Sequence, residues 1–362
     1  MKDKYCIIMA GGVGSRFWPM SRADKPKQFL DILGTGKTLI QQTFDRFKDI
    51  CPAENIYIVT SNAYKNLVYD QLPDVPKKNV LLEPARKNTA PCIAYASFKI
   101  HLQNPKAITV VAPSDHLITK EDTFKKAIKA CFQKAAKEDC LITLGIPPHR
   151  PDTGYGYIQY VSSPDKEKDS RIKKVKTFTE KPDLEIAKSF LQSGDFLWNS
   201  GIFVWSVKSI LTAFEKHDPE MYQVFRDGED TYNTDKENAF IKKAYMSCKS
   251  NSIDYSVMEK AKNVYVRESL IGWSDLGTWG SLYSHVQHIH GNNAVVGKNV
   301  MLYDSKNCII NVPNDKLAII QGLDDYIVVQ AENTLLICKK TDEQQIRNFV
   351  NDVKVQKGEK FI

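Results

Sequence analysis

A glycine-rich turn near the start of the chain holds the residues with the clearest chemical pattern. Gly11, Gly12 and Gly14 follow an apolar run, and the cations Arg16 and Lys27 come shortly afterwards. Glycines let backbone N–H groups converge on an anion without interference from Cβ atoms, and nearby cations neutralise its charge. The pattern favours a polyphosphate-binding turn, with a plain turn carrying solvated cations as the alternative.

Two familiar phosphate-binding motifs are excluded by the residues themselves. A dinucleotide-binding turn needs a third glycine where this chain has Phe17. The segment GTGKT (34–38) resembles part of a P-loop, but the first glycine of that motif would fall at Asp31. The turn at Gly11 therefore belongs to neither class.

Two aspartates are candidate metal ligands. Asp115 follows the apolar run 107–112, and Asp275 lies in the segment WSDLGTW (273–279). Mg²⁺ takes one or two carboxylates together with phosphate oxygens and water. Each residue has a structural alternative, because Asp115 could open a turn and Asp275 could cap a helix beginning near Thr278.

The elements that must position these residues alternate between strand and helix over the first part of the chain. Apolar runs predict strands at 4–10, 55–60, 79–82, 107–112 and 140–145, and helical spacing separates them. This alternation predicts an α/β fold, a mainly parallel sheet flanked by helices. Ligands of such sheets bind beyond the carboxyl ends of the strands, where Gly11 and Asp115 are expected.

The remainder of the chain has a different pattern. Further strands are predicted at 157–161, 172–180 and 201–205, and helices near 183–193, 207–216, 235–247 and 278–288. After residue 290, short β-rich runs separated by Asn, Asp and Gly turns predict a small β-solenoid-like domain. We therefore divide the sequence into residues 1–290 and 291–362.

Composition narrows the partners and the compartment. A net charge of +7 suits anionic small molecules, and no basic run with interleaved aromatic residues indicates nucleic acid. No stretch approaches the roughly 18 apolar residues of a membrane span, and no signal peptide is expected. The eight cysteines form no Cys-x-x-Cys pair, so we expect reduced thiols in a cytoplasmic protein.

Several segments, taken in order, closely resemble the mannose-1-phosphate guanylyltransferases, a family of sugar-1-phosphate nucleotidyltransferases. The matching segments are GGVGSRFWPMSRADKPKQFL (11–30), EPARKNTAPCIAYA (83–96), PSDH (113–116), PDTGYGYI (151–158), FTEKPD (178–183), FLWNSGIFVW (196–205), SIDYSVMEK (252–260), WSDLGTW (273–279) and GLDDYIVV (322–329). The resemblance thus covers nearly the whole chain. One departure is Lys87, where the family usually has Arg, so the planar guanidinium fork is lost.

The resemblance implies a Rossmann-like catalytic domain of the nucleotide-diphospho-sugar transferase fold followed by a β-helix-like domain. It also implies transfer of GMP from GTP to mannose 1-phosphate, with Mg²⁺ as cofactor. Apart from the resemblance, a homodimer is a candidate assembly. In this scheme Arg16 stabilises the pyrophosphate leaving group and Lys27 holds the phosphates, whereas Lys25 is a solvated neighbour. Asp115 and Asp275 hold the metal, and Asp115 also contacts the nucleotide.

The resemblance further assigns the sugar-phosphate site to Gly154, Gly156, Glu180, Lys181 and Asn199. The two glycines allow close backbone approach, Glu180 binds sugar hydroxyls, and Lys181 binds the phosphate. Asn199 is expected to bind a hydroxyl or the phosphate. A further carboxylate, in the segment SIDYSVMEK (252–260), is equally well explained as a helix cap.

Two alternatives concern the nucleotide. Glu83 at a strand end could accept the N1–H and N2–H₂ donors of guanine, or could be an ordinary strand-end acid. Asn88 and Thr89 could contact the nucleotide or cap their own helix.

Two other functions compete with the one that the resemblance implies. One is guanylyl transfer to another sugar phosphate, such as a heptose phosphate, and the other is a non-catalytic regulatory homologue that binds GDP-mannose.

Overall fold

A computed structural model describes residues 2–161 and 171–362. The chain forms two compact units. Met1–Gly11, Phe44–Ser114 and Ile118–Trp273 make up the first, and Gly12–Thr43, Asp115–Leu117 and Ser274–Ile362 make up the second. The predicted division of the sequence near residue 290 stays a prediction.

The strands and helices have the following bounds. The strands are β1 (Lys4–Met9), β2 (Ile56–Ser61), β3 (Val80–Glu83), β4 (Ile108–Pro113), β5 (Leu117–Ile118), β6 (Leu141–Ile146), β7 (Tyr157–Tyr160), β8 (Ile172–Thr179), β9 (Phe196–Ser206), β10 (Val264–Glu268), β11 (Trp273–Ser274), β12 (His288–Ile289), β13 (Asn293–Val296), β14 (Val300–Tyr303), β15 (Ile309–Asn311), β16 (Ala318–Gln321), β17 (Tyr326–Ala331) and β18 (Thr334–Lys339). The α-helices are α1 (Leu39–Lys48), α2 (Lys65–Gln71), α3 (Thr89–Gln103), α4 (Glu121–Ala135), α5 (Leu184–Ser193), α6 (Val207–His217), α7 (Pro219–Arg226), α8 (Glu237–Ser247), α9 (Trp279–Tyr283) and α10 (Ile346–Lys357).

The first unit is built on a mixed sheet of nine strands in the order β3-β2-β1-β4-β9-β6-β10-β8-β7. The run from β3 to β4 is parallel, whereas β9 pairs antiparallel with both β4 and β6. Residues 5–8 of β1 are buried on both faces of the sheet. A strand covered on both faces needs a continuous apolar run, which explains why the sequence predicted these strands well.

The second unit contains a parallel β-solenoid. Strands β13, β15 and β17 stack in parallel, so that Ala294 pairs with Ile309 and Ile309 pairs with Ile327. A second parallel pair joins β14 to β16. The buried Asn293 side chain accepts a hydrogen bond from the backbone N–H of Cys308 and donates to the carbonyl of Ser305, so it ties successive turns together.

The predicted α/β fold with a C-terminal solenoid-like domain is confirmed, but the helix predicted near 278–288 is wrong in its second half. Helix α9 ends at Tyr283, and His288–Ile289 forms strand β12, antiparallel to β13. Gly291 has a φ of 76°, a left-handed conformation that allows the intervening turn. None of the helices that the structure describes has the length and apolar character needed to span a bilayer.

Candidate active site

The predicted glycine turn leads into a short 3₁₀ helix in the second unit, Ser15–Phe17. Gly14 precedes it with a φ of 63°, and a Cβ atom there would lie 2.6 Å from the Cβ of Lys27. Glycine is therefore required for both conformation and space. At Gly12, by contrast, an added Cβ would meet no atom of the described residues within 4 Å.

Lys27 is a buried cation whose hydrogen bonds connect distant parts of the second unit. Its side chain is 5% exposed, and Nζ lies 2.9 Å from Oδ2 of Asp115. Nζ also donates to the backbone carbonyls of Asp275 (3.0 Å) and Leu276 (2.9 Å). An ammonium has three N–H donors, so these acceptors match its full capacity. Lys25, two residues earlier, is exposed.

Lys27 therefore contacts both predicted metal ligands, Asp115 through its carboxylate and Asp275 through its backbone carbonyl. Burial disfavours ionisation of Asp115, but the charges of Lys27 and His116 outweigh it, and the pKa of Asp115 is lowered. Oδ1 of Asp275 accepts a hydrogen bond from the backbone N–H of Gly277.

Neither aspartate caps a helix. Thr278 caps α9 through a capping box, which removes that alternative for Asp275. Asp115 lies in a turn, as its structural alternative expected, and Lys120 is the residue that precedes α4 at its N-terminus.

These residues line a cavity of about 250 Å³ within the second unit, here called the Arg16 cavity. Its lining residues are Gly14, Ser15, Arg16, Phe17, Lys27, Asp115, His116, Asp275, Gly277 and Arg347. The Nε atom of Arg16 is buried and has no hydrogen-bond partner among the described residues. Such a donor is available for an anion that enters the cavity.

In the first unit, Glu83 ends strand β3 as a largely buried acid. Its Oε1 accepts a hydrogen bond from the hydroxyl of Tyr245 at 2.9 Å. Its Oε2 faces Gly11, where an added Cβ would lie only 3.2 Å away. Burial raises the pKa of Glu83 to about 7, although the bond from Tyr245 partly opposes the shift. Sequence reasoning missed Tyr245, which carries no local motif.

The first unit also brings together most of the residues predicted to bind the sugar phosphate. A Cβ added at Gly156 would lie 2.5 Å from Oε2 of Glu180 and 3.4 Å from the Cβ of Asn199. The Nζ of Lys181 lies 2.5 Å from Oε1 of Glu180. Gly154 donates its N–H to Asp152 and is exposed.

A carboxylate left open by the sequence, Asp254, joins this cluster. The amide of Asn199 donates to its Oδ1 at 3.0 Å. Burial and the nearby charge of Glu180 raise the pKa of Asp254 to about 7, against the opposing effect of the Asn199 bond. It begins a π-helical turn, Asp254–Met258, and does not cap it through its side chain.

Asn88 and Thr89 both have structural partners. The side chain of Asn88 accepts a hydrogen bond from the backbone N–H of Thr89 at the start of α3. The hydroxyl of Thr89 accepts one from the backbone N–H of Ile253. The capping alternative is thus realised for Asn88, and its contact with a nucleotide stays a prediction.

Comparison with known proteins agrees with this architecture. A family model described as Nucleotidyl transferase matches residues 5–292, and one described as MannoseP isomerase/GMP-like beta-helix domain matches residues 297–353. The alginate biosynthesis protein AlgA of Pseudomonas aeruginosa is 34% identical over 97% of this chain and 72% of its own length. A mannose-1-phosphate guanylyltransferase of Escherichia coli K12 is 33% identical over 97% of this chain and 73% of its own length.

A solved structure is also similar along nearly the whole chain. The crystal structure described as mannose-1-phosphate geranyltransferase from Thermus thermophilus has a TM-score of 0.87 at 25% identity, covering 97% of this chain and 99% of its own. The chain belongs to the nucleotidyl transferase family, in the group of the mannose-1-phosphate guanylyltransferases. The family, the fold class and the enzyme class expected from the sequence are therefore confirmed.

Proposed function

We propose that the protein transfers GMP from GTP to α-D-mannose 1-phosphate, giving GDP-mannose and pyrophosphate. The observation that carries this proposal is the Arg16 cavity, in which Arg16, Lys27, Asp115 and Asp275 come together from three separate parts of the chain. A cavity with a guanidinium whose buried Nε–H has no partner among the described residues, together with two aspartates, suits a metal-bound polyphosphate. The choice of mannose 1-phosphate is supported by the names of the similar proteins.

The chemistry requires positioning and charge neutralisation but no protein nucleophile. A phosphate oxygen of the sugar phosphate attacks the α-phosphorus of GTP, and the bond to the β-phosphate oxygen breaks as pyrophosphate leaves. Arg16 stabilises the charge that builds up on the leaving group. Lys27 acts at the phosphates and also keeps Asp115 in position through its ion pair. Gly12 and Gly14 allow the backbone to approach the phosphates closely.

We propose Asp115 and Asp275 as the residues that hold Mg²⁺. The donor set fits this ion, because both carboxylates line one cavity and the pKa of Asp115 is lowered, which keeps it ionised. No cluster of three or more His, Cys, Asp or Glu side chains suited to a metal occurs in residues 2–161 and 171–362. When bound, the ion would neutralise phosphate charge and polarise the phosphoryl oxygens.

The choice of base is proposed to rest on Glu83. Its Oε2 lies beside Gly11 at the carboxyl ends of two strands of one sheet, the edge where ligands of such sheets bind. A guanine N1–H and N2–H₂ pair would bond best to the ionised carboxylate and would lower its pKa on binding. Adenine presents no such pair of donors at that edge.

Recognition of the sugar phosphate is proposed for the cluster in the first unit. Glu180 and Asn199 would accept and donate hydrogen bonds to sugar hydroxyls, and Asp254 would hold Asn199 in the required orientation. Lys181 would bind the phosphate, exchanging its present ion pair with Glu180 for that contact. Gly156 leaves the room that a side chain would fill.

A cytoplasmic location and a homodimer are also proposed. All eight cysteines are buried and free, as expected for a protein of a reducing compartment.

The solenoid exposes apolar side chains on β14 and β16, including Met301 and Ile319, which a second copy could cover in the proposed homodimer. Replacing Ile319 with Lys should convert a dimer into a monomer in light scattering, and a wild-type monomer would exclude the assembly.

The experiment that tests the proposed reaction is pyrophosphate release measured over a panel of nucleoside triphosphates and sugar 1-phosphates with Mg²⁺. We expect turnover with GTP and mannose 1-phosphate to exceed that of the other pairs. Higher turnover with a heptose phosphate would favour the alternative substrate. Binding of GDP-mannose without turnover of any pair would favour a regulatory protein.

A further inference from the structure

Arg347, a residue in the first turn of helix α10, lines the Arg16 cavity. Two contacts fix this turn within the second unit. Ile346 is fully buried in the apolar cluster that also contains Phe17 and Trp279. The carboxylate of Glu343 accepts a hydrogen bond from the backbone N–H of Gly280 at 2.7 Å. The start of α10 is therefore held against the turn that carries Arg16.

The charges around this cavity are incompletely balanced. Lys27 is neutralised by its ion pair with Asp115. Neither Arg16 nor Arg347 has a hydrogen bond or ion pair with an acidic side chain in the part of the chain that the structure describes. The charge of Arg16 and, to a smaller extent, burial lower the pKa of Arg347, as expected where two guanidinium groups line one cavity. The lining thus holds three cations, Arg16, Lys27 and Arg347, against the two carboxylates of Asp115 and Asp275, and the positive charge that remains favours an anion.

We infer that Arg347 is a second guanidinium ligand, with Arg16, of the pyrophosphate portion of the substrate and product. Two planar guanidinium groups can each form paired hydrogen bonds with phosphate oxygens, which an ammonium cannot. In the ligand-free protein the three donors of Lys27 are already engaged, so Lys27 acts at the phosphates only by exchanging one of these contacts. This inference rests on the proposed function and extends the phosphate site to the C-terminal helix.

Binding of inorganic pyrophosphate, measured by isothermal titration calorimetry, tests the inference without nucleotide or sugar. Arg347→Ala should weaken binding roughly tenfold to a hundredfold, the range for a lost hydrogen bond to a charged group. The affinity of Arg347→Lys for pyrophosphate should lie between those of wild type and Arg347→Ala, because Lys keeps the charge but lacks the planar guanidinium group. Lys357→Ala is the matched control, since it removes one exposed cation from the same helix about 15 Å further along.

Thermal unfolding separates ligand binding from a structural role. Without pyrophosphate, Arg347→Ala should melt at the wild-type temperature or higher, because repulsion from Arg16 is removed. The rise in melting temperature on adding pyrophosphate should be smaller than in wild type. A lower melting temperature without ligand, together with an unchanged ligand-induced rise, would assign Arg347 to structure and overturn the inference.

The outcomes also distinguish this inference from the proposed function. Should the wild type make GDP-mannose while Arg347→Ala binds pyrophosphate as tightly as Lys357→Ala, the role of Arg347 is refuted and the function stands. Should no sugar phosphate be converted while pyrophosphate binding depends on Arg347, the role stands and the function is refuted.

Discussion

Replacing Glu83 with Gln gives a sharp test of the first unit, because the two side chains have nearly the same shape and only one of them titrates. Glu83 is 8% exposed and accepts a hydrogen bond from Tyr245. The amide oxygen of Gln can accept the same bond. The substitution therefore removes the buried ionisable group while leaving the packing in place.

The size of the effect follows from the pKa of Glu83, which burial raises from 4.5 to about 7. Between these pH values the folded state keeps a proton that the unfolded chain has lost, so the free energy of unfolding falls as pH rises. The full shift corresponds to about 3 kcal/mol, of which about 2 kcal/mol falls between pH 5.5 and 8.5. The Glu83→Gln variant has no carboxyl group at this position, so its free energy of unfolding does not fall for this reason as pH rises.

Urea unfolding of both proteins at several pH values from 5.5 to 8.5 measures the difference. We expect Glu83→Gln to gain about 2 kcal/mol relative to wild type across this range. Asp254 also has a raised pKa, but it is present in both proteins and its contribution cancels. Glu229→Gln, the same change at an exposed position, should leave the pH dependence of wild type unaltered.

Two parallel curves of unfolding free energy against pH for wild type and Glu83→Gln would refute the reasoning, because they would mean that Glu83 has the same pKa in the folded and unfolded chain.

The same variant should lower kcat/KM for GTP by roughly tenfold to a hundredfold if Glu83 binds guanine, the range for losing a hydrogen bond to a charged acceptor. Inosine triphosphate, which lacks the 2-amino group, should be affected less.

Two further predictions concern the Arg16 cavity. Arg16→Ala should reduce kcat about a hundredfold to a thousandfold, as for loss of one preorganised donor to developing charge. Its melting temperature should stay near that of wild type because the side chain has no acidic partner among the described residues, whereas Lys25→Ala should retain activity. Asp115→Asn should abolish Mg²⁺-dependent pyrophosphate release, since it removes a metal ligand and the ion pair with Lys27. A variant that lost only stability, with turnover and Mg²⁺ dependence intact, would make Asp115 a structural residue.

The strands of the parallel region were predictable from sequence within one residue at either end, because strands buried on both faces are continuous apolar runs. Strand β9 was predicted only from residue 201, although it begins at Phe196. The polar residues at 199 and 200 interrupt its apolar run, so a local pattern ends there. Helix α7 was missed despite a clear signal, a capping Asp218 followed by Pro219 at the first helical position.

The site was predictable in its residue types but not in its pairings. Motif spacing identified Arg16 and Lys27 as cations of one turn, yet the acceptors of Lys27 lie near residues 115 and 275. Local patterns report burial and periodicity, whereas pairing depends on which distant segments meet in the fold. Arg347 lies in a helix with no recognisable motif, so only its position in the cavity marks it.

The partners that a cationic side chain already has in the folded protein decide how readily it can bind an anion. A lysine whose three donors already face acceptors must break an ion pair before it can bind phosphate, and that exchange costs part of the binding free energy. A guanidinium without an acidic partner has no such cost, and a second one in the same cavity is relieved of repulsion when the anion arrives. On this argument Lys27 serves chiefly to hold Asp115 in the ligand-free protein, and Arg16 with Arg347 provides the charge that draws the triphosphate in.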